Sequence, residues 1–316
     1  MMSLVSRCAI WVALTALVMI FLLLHAGFDI DYVIPRRLER LATMFIGGIC
    51  IAWSSIVFQT IAGNRILTPA VMGYEAVYLL LQSLLVLVMS THSIAMPGMI
   101  GNFFLSVSVM LAYSWVVHRW LFRHGRHNVF FLLLIGLVLN IVIGTATQFV
   151  QLKTSPGEFA MLLGFSQASF NRSEPVQLMA SAMLVAIVCF VCRKSLPALD
   201  VLSLGREQAM SLGVDYPRTV QLHLALIAVL VAVSTSLLGP TAFMGIFIAN
   251  TAYALAPSFR HRGTLPTGCA IATSIFILAE LVVEHLFNYR TTVGILVNLV
   301  CGAWFLMLMV RRRNTA

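Results

Sequence analysis

Residues 129–150 read VFFLLLIGLVLNIVIGTATQFV, a run without one charged side chain. As a helix rising 1.5 Å per residue it extends ~33 Å, enough to cross the ~30 Å hydrocarbon core of a bilayer with its backbone hydrogen bonds closed internally. Outward from it, apolar runs of similar length recur along the chain. Read against charged and Gly/Pro breaks, they give ten candidate spans near 8–27, 41–62, 70–90, 97–118, 129–150, 176–192, 219–238, 241–256, 266–284 and 292–310. The expected fold class is an all-α polytopic membrane protein, a single transmembrane domain over 1–316.

Composition excludes an ordinary soluble domain. Of the 316 residues 60% are hydrophobic and 10% charged, against about a quarter charged in soluble domains. The net charge of +9 does not indicate nucleic acid, because the basic residues occupy short connectors and form no stripe. They report topology instead. With the N-terminus inside, the inner segments hold fourteen Lys and Arg and the outer ones six, together the full twenty, so both termini are expected on the cytoplasmic side. Cys8 to Leu24 follows Arg7 but lacks a small-x-small cleavage site, and is read as a retained first span. The six cysteines lie in or beside apolar segments, and the lone Cys189-x-x-Cys192 reads as packing rather than a redox or metal motif.

Three connectors stand out. Gly239-Pro240 separates the seventh and eighth runs and predicts a tight reversal at the outer face. The polar stretch from Gln151 to Pro175 has room for a short helix over the mouth of a passage. The inner stretch from Arg193 to Arg218 contains a helix-compatible run, Arg206 to Leu212, closed by Gly213.

That last run lies within Leu202-Ser203-Leu204-Gly205-Arg206-Glu207-Gln208-Ala209-Met210-Ser211-Leu212-Gly213-Val214, which resembles the coupling segment of the iron-chelate and cobalamin permeases of ABC importers, the FecCD family. Three further stretches match in the family's order. They are Arg37-Leu38-Glu39-Arg40 with Gly47-Gly48 and Phe58-Gln59; Asn64 to Pro69 with Gly73; and Gly239 to Gly245. The chain departs from the pattern at Glu39, at Ala249-Asn250 where the family has Pro-His, and at Thr292-Val293-Gly294 where it has Pro-x-Gly.

The resemblance implies a type II ABC importer permease of ten helices in the cell inner membrane. Its implied partners are a second permease subunit, two ATPase subunits and a periplasmic siderophore-binding protein. The Asn64 to Gly73 variant looks like the ferric siderophore branch, catecholates included, in which the second permease is commonly a different, homologous chain. Cobalamin and haem are the alternative cargoes within the family.

Arg37 and Arg40 match the family's paired arginines and imply docking of the binding protein, the plainer reading being interfacial anchors. Arg290 is a third docking candidate, its sign exchanged with Glu284 relative to the family, and a local Arg290–Glu284 pair is the other reading. Arg206, Glu207, Met210, Leu212 and Gly213 are candidates for contact with the ATPase, against an ordinary charged loop. Gln59 and Asn298 are candidates for the translocation path or its packing, because Gly294, Asn298 and Gly302 at four-residue spacing favour close approach of a helix.

No catalytic constellation or metal-ligand spacing is evident. His118, His124 and His127 lie among arginines. Neither lysine, Lys153 nor Lys194, follows a glycine, so the phosphate-binding Gly-Lys-Ser/Thr is absent. No cofactor is expected on this chain, and ATP belongs to a partner subunit. Two rivals come from other classes. A secondary transporter calls for mid-membrane acids, for which only Glu75 and Glu280 qualify, and an intramembrane enzyme calls for a facing nucleophile and base.

Overall fold

The structure, a computed structural model, describes residues 4–24, 30–92, 98–123, 129–241, 243–256 and 258–313. Within these residues every regular element is helical: α1 (Leu4–Leu23), α2 (Ile30–Ala62), α3 (Tyr74–His92), α4 (Met99–Arg123), α5 (Val129–Gln151), α6 (Pro156–Ser166), α7 (Pro175–Leu202), α8 (Arg206–Ser211), α9 (Tyr216–Leu238), α10 (Met244–Leu255), α11 (His261–His285) and α12 (Val293–Arg313), with a 3-10 turn at Pro69–Met72 before α3. His124, Arg126 and His127 lie outside the described residues.

Ten of these helices stand where ten spans are expected. Parts of α2, α4, α5, α7, α9 and α11 are long and apolar enough to cross a bilayer, while α1, α3, α10 and α12 carry apolar stretches of 10–17 residues among the described residues. The remaining two, α6 and α8, fill the two connectors predicted to hold short helices. Cross-links show the chain running up and down. Gln82 bonds Asn102 and Tyr74 bonds Ser114 between antiparallel α3 and α4, and the end of α2 meets the start of α11 through Thr60 and His261. One end of the bundle therefore carries α8, and the other, here the far end, carries the start of α2 and the end of α11.

The helix ends differ from expectation in instructive ways. α2 starts eleven residues before 41, because Arg37 and Arg40 are neutralised by carboxylates of α11 and the helix continues beyond its apolar part. α7 runs past Arg193-Lys194 to Leu202, since Leu196, Leu199 and Leu202 keep burying one face at helical spacing while the charges point out. α10 has twelve residues, ~18 Å by helical rise, too short to span alone. The reversal before it is recessed within the bundle, where the Thr241 amide donates to Glu75 and Gly239 lies against the Gln167 carbonyl. It is thus not a turn on the outer surface.

α2 is the axis, with 72% of its best apolar window buried against 17% for α5. Two adjacent glycines let it serve two neighbours. A Cβ on Gly47 would run into the Leu238 side chain of α9, and one on Gly48 would stand 2.9 Å from Thr273 Oγ1 and 3.2 Å from its backbone nitrogen on α11. Close approach of this kind draws on dispersion and backbone packing, which hold helices together where water is absent.

Gly48→Val is expected to lower the thermal midpoint of the full-length chain in detergent sharply, because the α11 backbone has to move away. Gly144→Ala, where nothing lies within 4 Å, is expected to be neutral or to stabilise α5 by up to ~1 kcal/mol. A thermal-shift measurement that ranks the two alike removes the Gly48 contact as a packing determinant.

Candidate functional site

Two surfaces gather the residues singled out above. The first is α8. Gly205 enters it at φ +103° and Gly213 leaves it at φ +84°, conformations for which glycine has no Cβ penalty. The Val214 amide donates to Ala209 O at 3.1 Å and the Gly213 amide to Met210 O at 3.0 Å, the paired bonds of a Schellman cap. Asp215 then caps α9 through the Arg218 amide at 3.3 Å, so both ends of the excursion are rigidly closed.

Ala209 is the buried residue of α8, whereas Arg206, Glu207, Met210, Leu212 and Gly213 all face outward. Leu204, Met210 and Leu212 expose 54%, 53% and 63% of their surface, an apolar patch flanked by Arg206 and Glu207.

The second surface is at the far end, and here the paired arginines part company. Arg37 is buried. Its Nη1 donates to the carbonyls of Phe21, Leu22 and Leu24 at 2.7, 3.3 and 2.6 Å, and its Nη2 to Glu284 Oε1 at 3.2 Å. It therefore caps carbonyls at the end of α1 and joins α1, α2 and α11. Docking does not account for it, because its donors are committed inside the chain.

Arg40, one turn on, is a quarter exposed. It lies 3.7 Å from Glu280 and 3.8 Å from Glu284, and donates to Tyr289 Oη at 3.0 Å. Asn288 and Tyr289 both take left-handed backbone conformations, φ 46° and 58°, which disfavour side chains larger than glycine, so the loop after α11 is bent to bring that phenol over Arg40. Burial pushes the Tyr289 phenol above its ordinary value, against the pull of Arg40, keeping it neutral. Arg290 is exposed and forms no ion pair among the described residues. Glu284 is taken by Arg37 and Arg40, so the local Arg290–Glu284 pair is not formed.

The path candidates fall inside the bundle. Gln59 is 2% exposed, and neither its amide nitrogen nor its oxygen has a hydrogen-bond partner among the described residues. Asn298 is half-buried on α12. The neighbouring Gly294 is approached by Ala168 from the loop after α6, while nothing lies within 4 Å of Gly302. The close approach at Gly294 is thus made by this chain's own loop.

Sequence reading missed two polar links. Glu75 meets the recessed reversal and lines a cavity of about 430 Å³ with Asn140, Gln148 and Ser166. Asp200 Oδ1 accepts from the His261 amide at 2.8 Å and lies 2.6 Å from His261 Nδ1, while His261 Nε2 is 2.9 Å from Thr60 Oγ1. With Asp200 and His261 sixty-one positions apart, no local spacing announces the pair. The one available signal was polar residues placed near span ends.

Comparison with known proteins agrees with this architecture. The FecCD transport family matches residues 2–311. The petrobactin import system permease YclO of Bacillus subtilis (strain 168) is 32% identical over 285 residues, covering 90% of each chain. Its counterpart FatC of Bacillus anthracis is 30% identical over 284 residues, covering 89% of this chain and 79% of that protein. A metal-chelate type ABC transporter solved in an inward-facing conformation superposes with a TM-score of 0.83 at 19% identity, over 96% of this chain and 98% of that one.

Removing one partner of a buried ion pair strands the other, at a cost of about 3–5 kcal/mol. Arg37→Gln and Glu284→Gln are each expected to destabilise the detergent-solubilised chain, and the double variant to recover part of the loss, with a coupling of about 1–3 kcal/mol. Additive thermal losses in that double-mutant cycle count against the pair.

Proposed function

The chain belongs to the FecCD transport family, and from that membership we propose that it is the permease through which an ATP-driven importer carries a ferric siderophore across the cell inner membrane. The petrobactin systems named for its two Bacillus relatives support a siderophore as cargo. The observation that carries the reading is α8, whose capped, outward-facing apolar patch suits a groove on an ATPase subunit. ATP is then hydrolysed by two such subunits and not by this chain.

In this reading the α8 end, which holds thirteen of the nineteen described Lys and Arg, faces the cytoplasm with both termini. Motion at α8 has a route into the bundle, because α7 leads into it and Asp200 ties α7 to the start of α11 and, through His261, to the end of α2. At the far end a periplasmic siderophore-binding protein docks through carboxylates that meet Arg290 and the exposed edge of Arg40, while Arg37 positions the helix that carries Arg40. A second, homologous permease chain closes the passage, supported by the outward apolar face of α5 and the open position at Gly302. Glu75 and Glu280, the two acids that a secondary transporter would need, are engaged with Thr241 and Arg40.

Replacing Arg206 to Leu212 by a Gly/Ser linker is expected to leave the chain in the membrane while abolishing co-purification of the ATPase subunits and uptake of radio-iron-labelled ferric petrobactin. Unchanged ATPase recovery with ATP-driven uptake would remove α8 from the mechanism. Preferential accumulation of haemin or cobalamin in the same cells would reassign the cargo within the family.

A further inference from the structure

On the side of α2 away from α5, a groove of about 920 Å³ opens between α1, α2, α7 and α11. Its walls are apolar, formed by Leu14, Phe45, Ile49, Leu196, Leu265 and the ring of Trp11, and it ends at Arg193 and Arg262. From His261 to Thr273, both at its edge, α11 climbs ~18 Å, close to the ~15 Å of hydrocarbon in one leaflet. The groove is thus one leaflet deep, oily along its length and basic at its mouth. It opens onto lipid-facing surface, because its flanks expose Val12 and Met19 of α1 and Met183, Ile187 and Phe190 of α7.

The charge at the mouth is not matched by the protein. Arg193 and Arg262 come from different helices, both are exposed, and neither forms an ion pair among the described residues. Lys194 adds a third cation, its Nζ 5.0 Å from the centroid of Phe190. Asp200, the neighbouring carboxylate, is turned onto the amide and ring of His261. Excess basic charge facing an apolar slot between transmembrane helices is the combination that recognises an anionic headgroup with its acyl chain attached.

We propose that this groove seats one anionic glycerophospholipid from the leaflet at the α8 end, its phosphate held by Arg193 and Arg262 and an acyl chain laid along α2. A lipid seated there spans α7 and α11, the helices joined by Asp200 and His261 just below it, and so braces the connection from α8 into the bundle. A free anion would use the arginines but leave the apolar slot empty, and a zwitterionic lipid would fill the slot but leave the excess charge unmet.

The test is native mass spectrometry of the full-length chain in mild detergent, exposed to equimolar phosphatidylglycerol and phosphatidylethanolamine with identical acyl chains. The wild type is expected to retain one phosphatidylglycerol in roughly tenfold preference, since each basic residue near the headgroup adds about fivefold at most. R193Q/R262Q is expected to lose the preference, whereas the equal-charge control R119Q/R218Q, outside the groove, keeps it. Ala186→Trp, which fills the slot from α7, is expected to release the lipid whatever its headgroup. No preference in the wild type, the same preference in R193Q/R262Q, or undiminished retention in Ala186→Trp overturns the assignment.

Discussion

Everything in this fold hangs on α2 being fastened to α11 at both ends and pressed against it between them. At the far end Arg37 and Arg40 answer Glu284 and Glu280. In the middle Gly48 lets the Thr273 backbone come close, and at the α8 end Thr60 meets His261. Helices in a lipid-like interior gain nothing from hiding apolar surface from each other, so such contacts and close packing have to supply the cohesion. Each polar link satisfies at least one group, Arg37, Glu280 or His261, that would otherwise be stranded away from water.

With that axis in place, the chain tolerates breaks that an isolated span could not. The 3-10 turn before α3, the reversal between α9 and α10 and the loop after α6 all reach into the bundle, and backbone groups of each find partners there. Thr241 donates to Glu75, Ser169 to the Leu238 carbonyl, and the Tyr113 hydroxyl to the Met72 carbonyl. Non-helical backbone at such depth survives only where protein or a polar cavity satisfies it. These breaks lie beside the cavity lined by Glu75 and α5, whereas the side bearing the lipid groove is built from unbroken helices.

Function and architecture meet at α8. It is short, and its own burial is slight, so its rigidity comes from two left-handed glycines, a Schellman cap and the Asp215 cap of the next helix. In the coupling role proposed for it, this firmly held patch would receive force from an ATPase subunit, and Asp200, just before it, is bonded to His261 of α11, which in turn meets Thr60 of α2.

Much of this was legible in the residues. Long apolar runs allow only helices where backbone cannot meet water, so ten helices in the expected places follow from hydropathy, and the two short connector helices from the composition of their connectors, although α10 is too short to span alone. Gly213 marked the end of α8 because few residues other than glycine readily adopt its left-handed backbone. The partners of charged groups were not legible. Arg37 and Arg40 look equivalent at a spacing of three, yet one is sealed inside as a cap and the other reaches the surface. That choice was made by Glu284, 247 residues away from Arg37, and by the carbonyls at the end of α1. Local pattern sets which segments become helices, because backbone hydrogen bonding and hydrophobicity act over a few residues. Only the tertiary structure decides which charges are spent and which are free, because that depends on neighbours brought together from distant parts of the chain.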